Sequence, residues 1–155
     1  MIQALTTAPI LMAEDDDGDR LLTRKAMEKN QVPNPFVTVS NGEELLDYLH
    51  HRGKFSASQA APTPCFILLD LNMPRMDGRE ALKIIKADER LKKIPVVVLT
   101  TSKAPEDLLS CYDLGANSYV TKPVTFEGLV KTIESMKRYW LETVELPPPM
   151  EGAHG

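Results

Sequence analysis

Four short strand-like runs, three of them apolar, end in residues that could do chemistry. Ile10-Leu11-Met12-Ala13 runs into Glu14-Asp15, Cys65-Phe66-Ile67-Leu68-Leu69 into Asp70, Pro95-Val96-Val97-Val98-Leu99 into Thr100, and Asn117-Ser118-Tyr119-Val120-Thr121 into Lys122-Pro123. Taken singly, each has an ordinary explanation. An aspartate after a strand caps a helix or opens a turn, a lysine is a solvated charge, and a threonine is a strand-end hydroxyl. Taken together they form a reactive set. Clustered carboxylates repel one another and raise one another's pKa values unless a cation is present. Oxygen-only donors suit Mg2+, which keeps several waters and bridges to phosphate. A carboxylate can itself act as a nucleophile and form an aspartyl-phosphate. An ammonium and a hydroxyl then offset the charge of the phosphoryl oxygens.

The set converges only if the apolar runs are neighbouring parallel strands, and the stretches between them read as the helices this requires. The first helix carries Leu21, Leu22, Lys25 and Met27 and stops near the breakers Asn30-Gln31-Val32-Pro33. Phe36-Val37-Thr38-Val39 reads as a second strand. Asn41 with Glu44 three residues on is a capping-box pattern, ahead of the apolar face Leu45, Leu46 and Leu49. A Ser/Ala/Pro-rich loop from Gly53 to Pro64 leads to the run ending in Asp70, which lacks alternation, as a strand buried on both faces should. Gly78 precedes a helix with Ala81, Leu82, Ile84 and Ile85 inward; Pro105 stands in the first turn of the next; the last runs from about Thr125 past Trp140. Five strand–helix units imply an α/β fold, a doubly wound five-stranded parallel sheet with helices on both faces. The functional crevice of such a sheet lies at the carboxyl ends of its strands.

A chain of 155 residues suits one domain with a single core. The formal net charge of −4 disfavours nucleic acid as a direct partner, because phosphate backbones are held by clustered Lys and Arg. No apolar stretch approaches the roughly 20 residues that span a bilayer. Met1 to Ala8 lacks the basic region and apolar core of a secretory signal, so a cytoplasmic location without membrane attachment is expected. Cys65 and Cys111 match no metal spacing and read as buried free thiols. Residues 1–8 are expected to be a flexible N-terminus, 9–146 the folded domain with an extended last helix, and 147–155, beginning Pro147-Pro148-Pro149, a disordered tail.

At these residues the chain resembles the receiver domain of two-component response regulators. The motifs are Ile10-Leu11-Met12-Ala13-Glu14-Asp15, Leu68-Leu69-Asp70-Leu71-Asn72-Met73-Pro74-Arg75-Met76-Asp77-Gly78, Pro95-Val96-Val97-Val98-Leu99-Thr100-Thr101 and Tyr119-Val120-Thr121-Lys122-Pro123. The resemblance covers about Pro9 to Leu141. It implies the CheY-like, flavodoxin-like (βα)5 fold with strand order 2-1-3-4-5. It also implies Asp70 as phosphoacceptor for a sensor histidine kinase and Mg2+ held directly by Asp15 and Asp70, through water by Glu14, and by the Asn72 backbone carbonyl. Thr100 would hydrogen-bond the phosphoryl group and shift on activation, Lys122 would pair with a phosphoryl oxygen, Tyr119 would be the aromatic switch behind Thr100, and the Lys122–Pro123 bond would be cis. Many receivers carry Asp where this chain has Glu14, which keeps the charge and alters the water arrangement.

The long Gly53–Pro64 loop, Val97-Val98-Leu99-Thr100-Thr101-Ser102 and the tail Tyr139-Trp140-Leu141-Glu142-Thr143-Val144 are similar to single-domain regulators partnered with phytochromes. The expected function is therefore a stand-alone phosphorelay regulator of a phytochrome-type kinase, with no attached output domain and with a downstream phosphotransfer protein as a further partner. It is not expected to be an enzyme beyond weak autodephosphorylation. Trp140, Leu141 and Val144 lie beyond the usual end of the fold and are expected to be exposed as a homodimer surface. Two rival readings stand beside this one. A Mg2+-dependent aspartyl-phosphate phosphohydrolase would want a second Asp, as general acid, where this chain has Asn72. A phosphorylation-independent binding module would not need the Asp15, Asp70, Thr100 and Lys122 set.

Overall fold

The apolar runs do pair side by side. The computed structural model describes residues 8–57 and 61–147. Strands β1 (Ile10–Ala13), β2 (Phe36–Val39), β3 (Phe66–Leu69), β4 (Val96–Thr100) and β5 (Ser118–Thr121) form one parallel sheet in the order β2-β1-β3-β4-β5. Helices α1 (Asp17–Lys29), α2 (Gly42–His50), α3 (Gly78–Ala87), α4 (Pro105–Asp113) and α5 (Phe126–Met136) connect and follow them. The register sets Ala13 beside both Val39 and Leu69, and Thr100 beside Thr121, so the strands end level with one another. The strand order matches the CheY-like expectation.

Successive strand residues face opposite sides, and both sides are buried. Leu11, Ala13, Ile67, Leu69, Val96 and Val98 pack against Leu45, Leu46, Leu49, Ala81, Leu82 and Ile85 of α2 and α3. Ile10, Met12, Phe66, Leu68, Val97 and Leu99 pack against Ala26 and Met27 of α1 and Ile133 and Met136 of α5. Cys65 and Cys111 are free and buried, as expected.

Short polar residues start most helices, because their side chains accept bonds from the orphan amides of the first turn. Asp16 accepts from the Asp19 amide, Asp77 from Arg79 and Glu80, and Thr125 from Gly128. Asn41 accepts from the Glu44 amide at 2.8 Å, but the Glu44 carboxylate returns to the Ser40 amide, one residue earlier than a capping box requires. Pro105 opens α4, which has no side-chain cap.

Two expectations about helix faces need correction, and the packing face of α1, left open by the sequence, is defined. Leu21 and Leu22 are exposed, and α1 packs through Thr23, Ala26 and Met27. Ile84 is exposed because it sits about 100° around the helix from Ile85. Trp140, Leu141 and Val144 do not form a free apolar surface. After Met136 the chain continues in wider, π-type turns over Lys137–Thr143. Ile133, Met136 and Trp140 follow one another at three- and four-residue steps, which keeps them on one face. Trp140 is only 9% exposed and stacks on Phe66 with ring centroids 6.1 Å apart. Leu141, Val144 and Leu146 pack on the same cluster, partly buried. The terminal segments expected to be flexible or disordered fall, for residues 1–7 and 148–155, outside the described residues.

Two glycines hold the loop that follows β3. The Gly42 amide donates to the Met76 carbonyl at 3.0 Å, and the Gly78 amide to the Leu71 carbonyl at 2.9 Å. A Cβ on Gly78 would stand 2.2 Å from the Asp70 carbonyl oxygen and 2.8 Å from the Leu71 Cα, both backbone atoms that cannot swing away. Gly78→Ala should therefore lower unfolding stability by about 1–3 kcal/mol, the usual cost of overpacking, read as a lower urea midpoint; an unchanged midpoint would show that the loop has room to retreat.

Candidate functional site

The ends of β1 and β3 bring three carboxylates together. Glu14, Asp15 and Asp70 each place an oxygen within 4.8 Å of the other two, with Glu14 and Asp70 buried and Asp15 exposed. Backbone bonds fix the positions. The Glu14 amide donates to the Val39 carbonyl at 2.9 Å, and the Asp70 amide to the Ala13 carbonyl at 3.1 Å. Both residues continue the ladder, so their side chains emerge where the sheet stops.

Lys122 enters from the end of β5. Its amide donates to the Thr100 carbonyl at 2.7 Å, which ties the ends of β4 and β5. Its ammonium lies 2.5 Å from Glu14 Oε1, 2.8 Å from Asp19 Oδ2 and 3.6 Å from Asp70 Oδ2. Glu14 Oε2 also accepts from the Asp16 amide at 3.1 Å. Burial pushes the Glu14 carboxyl up to about 7; the Lys122 bond opposes this and the Asp70 charge adds to it. Burial disfavours the Lys122 ammonium, but bonds to Asp19 and Glu14 and the charge of Asp70 more than reverse that, and its pKa rises above the ordinary lysine value.

Asp19 is the site residue that sequence reasoning missed. It lies in the first turn of α1, directly after the strand end, and helical side chains lean toward the N-terminus. That placement aims the carboxylate at the sheet edge, and its position four residues after Asp15 was the available signal.

Thr100 is fully buried, and its Oγ accepts from the Ser102 amide at 3.3 Å. Tyr119 lies beside Val98 in the sheet, and its hydroxyl donates to the Ser102 carbonyl at 3.0 Å. Asn72 is exposed, two residues past Asp70, between the buried Leu71 and Met73. Trp140, Leu141 and Val144 belong to the core cluster built on Phe66, at the opposite end of β3 from Asp70, and take no part in this site. No peptide bond among the described residues is cis, so the expected cis bond before Pro123 is corrected to trans, the isomer X–Pro bonds ordinarily favour.

The donor set fits a hard divalent cation. It consists of oxygens alone, it is crowded, and one lysine answers several carboxylates.

Residues 10–134 match the model of the response regulator receiver domain, and the chain belongs to that family. It is 38% identical over 138 residues to the response regulator Rcp1 of Synechocystis, covering 89% of this chain and 92% of that protein. Its structure is similar to that of the phosphorylated cyanobacterial phytochrome response regulator RcpA, with a TM-score of 0.85 at 40% identity, covering 92% of this chain and 99% of that one. It is also similar to the Mn2+-bound form of Rcp1, with a TM-score of 0.82 at 37% identity over 91% and 99% of the two chains. This is a receiver of the type that works with histidine kinases in two-component signalling. No helix among the described residues is long and apolar enough to cross a membrane.

Asp19→Asn removes one of the anions on Lys122, so the Lys122 pKa should fall, since a lost opposite charge disfavours the charged form. Titration of the Lys122 side-chain NMR signals checks this; an unchanged pKa would mean that Glu14 and Asp70 alone hold the ammonium.

Proposed function

We propose that the protein accepts a phosphoryl group on Asp70 from a histidine kinase in a Mg2+-dependent reaction, and that Thr100 and Tyr119 carry the change to the surface. The observation behind this reading is the placement of Asp70: a buried carboxylate within 4.8 Å of two further carboxylates and 3.6 Å from the Lys122 ammonium. An Asp70 oxygen attacks the phosphorus of a phosphohistidine. The P–O bond forms as the P–N bond breaks, and the imidazole nitrogen leaves with the bonding pair.

Glu14, Asp15 and Asp70, with the Asn72 backbone carbonyl, would hold Mg2+. When bound, the ion neutralises charge that develops on the phosphoryl oxygens. The residues of the chain do the rest. Lys122 is shared among Glu14, Asp19 and Asp70, so its ammonium already stands at the edge of the site and can pair with a phosphoryl oxygen as a point charge. Thr100 has a hydroxyl proton to give, since its Oγ serves the Ser102 amide only as an acceptor.

The protein acts as a phosphoacceptor rather than a turnover enzyme. Asn72 stands where an aspartyl phosphohydrolase would need a carboxyl general acid, and an amide cannot deliver that proton. Similarity to RcpA and Rcp1 favours a phytochrome-type kinase as the donor.

Incubated with radiolabelled acetyl phosphate and Mg2+, the protein should take up label, while Asp70→Asn should take up none and chelation of Mg2+ should abolish uptake. Labelled Asp70→Asn protein would overturn the assignment.

A homodimer through the extension of α5 belongs to the same reading, with a changed contact surface. Since Trp140 is packed inward, Tyr139, which is 51% exposed and edge-on to Trp140, is the aromatic left to meet a second copy. Sedimentation velocity at micromolar concentration should show a dimer that Tyr139→Glu converts to a monomer; a wild-type monomer would rule the dimer out.

A further inference from the structure

The loop that leaves β3, residues 71–77, is anchored in two different ways. Its first half is anchored in the core: Leu71 and Met73 are buried, and the Gly78 amide closes the loop on the Leu71 carbonyl at 2.9 Å. Its second half is held by the first turn of α2. The Gly42 amide donates to the Met76 carbonyl at 3.0 Å, and Arg75 donates to Glu43 Oε2 from Nε at 3.3 Å and from Nη2 at 3.1 Å. A Cβ on Gly42 would stand 2.4 Å from the Met76 carbonyl oxygen and 2.9 Å from the Met76 Cβ and Cγ, so the helix start lies directly on the loop backbone.

Arg75 has a left-handed backbone, with φ 68°, a conformation that costs every residue but glycine. Arginine brings no backbone advantage to such a turn. What it brings is a guanidinium edge that grips a carboxylate. Both side chains of the pair are exposed, and an exposed ion pair stabilises a fold little. Its placement gives it another use, because Asn72 lies between the core anchorage and the α2 anchorage. Mg2+ demands near-octahedral geometry and tolerates little displacement of its oxygens, whereas Ca2+ accepts flexible arrangements. A carboxylate can rotate to follow an ion, but a backbone carbonyl moves only with its loop. Residues that hold such ligands in place therefore tune metal affinity.

We propose that Arg75, with Glu43 and Gly42, is a positioning residue of the acidic site: the clamp on α2 holds residues 71–77, and with them the Asn72 carbonyl, at the geometry Mg2+ requires. The clamp is visible in the hydrogen bonds; its effect on the ion rests on the reading of Glu14, Asp15, Asp70 and the Asn72 carbonyl as the Mg2+ donors. Charge alone predicts the opposite sign, since removing the Arg75 cation beside an acidic pocket would tighten the binding of any divalent cation.

Titration of the full chain with Mg2+ and, separately, with Ca2+, followed by the Asp15 and Asp70 amide NMR shifts, tests the clamp. Arg75→Ala should raise the Mg2+ dissociation constant about 2- to 5-fold, the size expected of an exposed ion pair, and the Ca2+ constant less. An unchanged or lower Mg2+ constant overturns the clamp, and an equal rise for both ions overturns its geometric basis. Gly42→Ala leaves the charge unchanged and presses on the Met76 carbonyl, so it should raise the Mg2+ constant about tenfold or more. A folded Gly42→Ala protein with wild-type Mg2+ binding overturns the clamp; should that variant not fold, Arg75→Ala, at an exposed position, decides the matter. Wild-type protein that binds no Mg2+ overturns the metal reading of the carboxylates and the clamp's role with it, whereas wild-type binding with unaltered variants overturns the clamp alone.

Discussion

The site depends on one electrostatic constraint: buried carboxylates at the ends of β1 and β3 need positive charge close by. An unpaired charge inside a protein is costly, and such a group is paired or neutralised. Here Lys122 supplies the charge, drawn in from β5, two strands away from β3. Its short bond to Glu14 and its longer approach to Asp70 join the strand ends across the crevice. With Asp19 included, one ammonium lies within 4 Å of three carboxylates, and the exposed Asp15 adds a fourth to the cluster. The local imbalance favours a further cation, and burial together with the neighbouring Asp70 charge raises the Glu14 pKa. The acidic pocket, the lysine and a donor set suited to a hard metal are consequences of the same charge arrangement.

The sheet serves that arrangement. Parallel strands that end level with one another present their next residues along a single edge, and the register sets Ala13 beside Leu69 and Thr100 beside Thr121. The loops beyond the strands are held from the opposite side. Gly42 and Gly78 clamp the loop after Asp70 by backbone contact, and Ser102 gathers the loop after Thr100. Rigid strand ends with differently tethered loops suit a site that must stay in place while its surroundings shift.

Much of this was legible in the sequence because the relevant signals are local. Apolar runs marked the three central strands, the residue after each run marked the crevice, and Asn41 and Pro105 marked helix starts. What was not legible depended on the direction in which a helix faces. Leu21, Leu22 and Ile84 are apolar, yet their angular position turns them outward, and only the packed helix shows which stripe the sheet covers. Asp19 drew no reading from the sequence, because only the crossing of β5 sets Lys122 over it. Trp140 read as surplus beyond the fold because the wider turns after Met136, which lay it on Phe66, have no simple sequence signature. The Glu43–Arg75 pair joins residues from separate units, a relation that no local pattern carries.

The position of Trp140 also determines what light can report about this protein. It is the sole tryptophan, and it stacks on Phe66 at the start of β3, while Asp70 follows the end of that strand. At roughly 3.3 Å per residue, those two ends are about 13 Å apart. The indole is therefore a native fluorophore embedded in the core beneath α5 and set apart from the chemistry. Its emission follows whether the last helix is docked, whereas events at the carboxylates must be followed by a probe placed elsewhere.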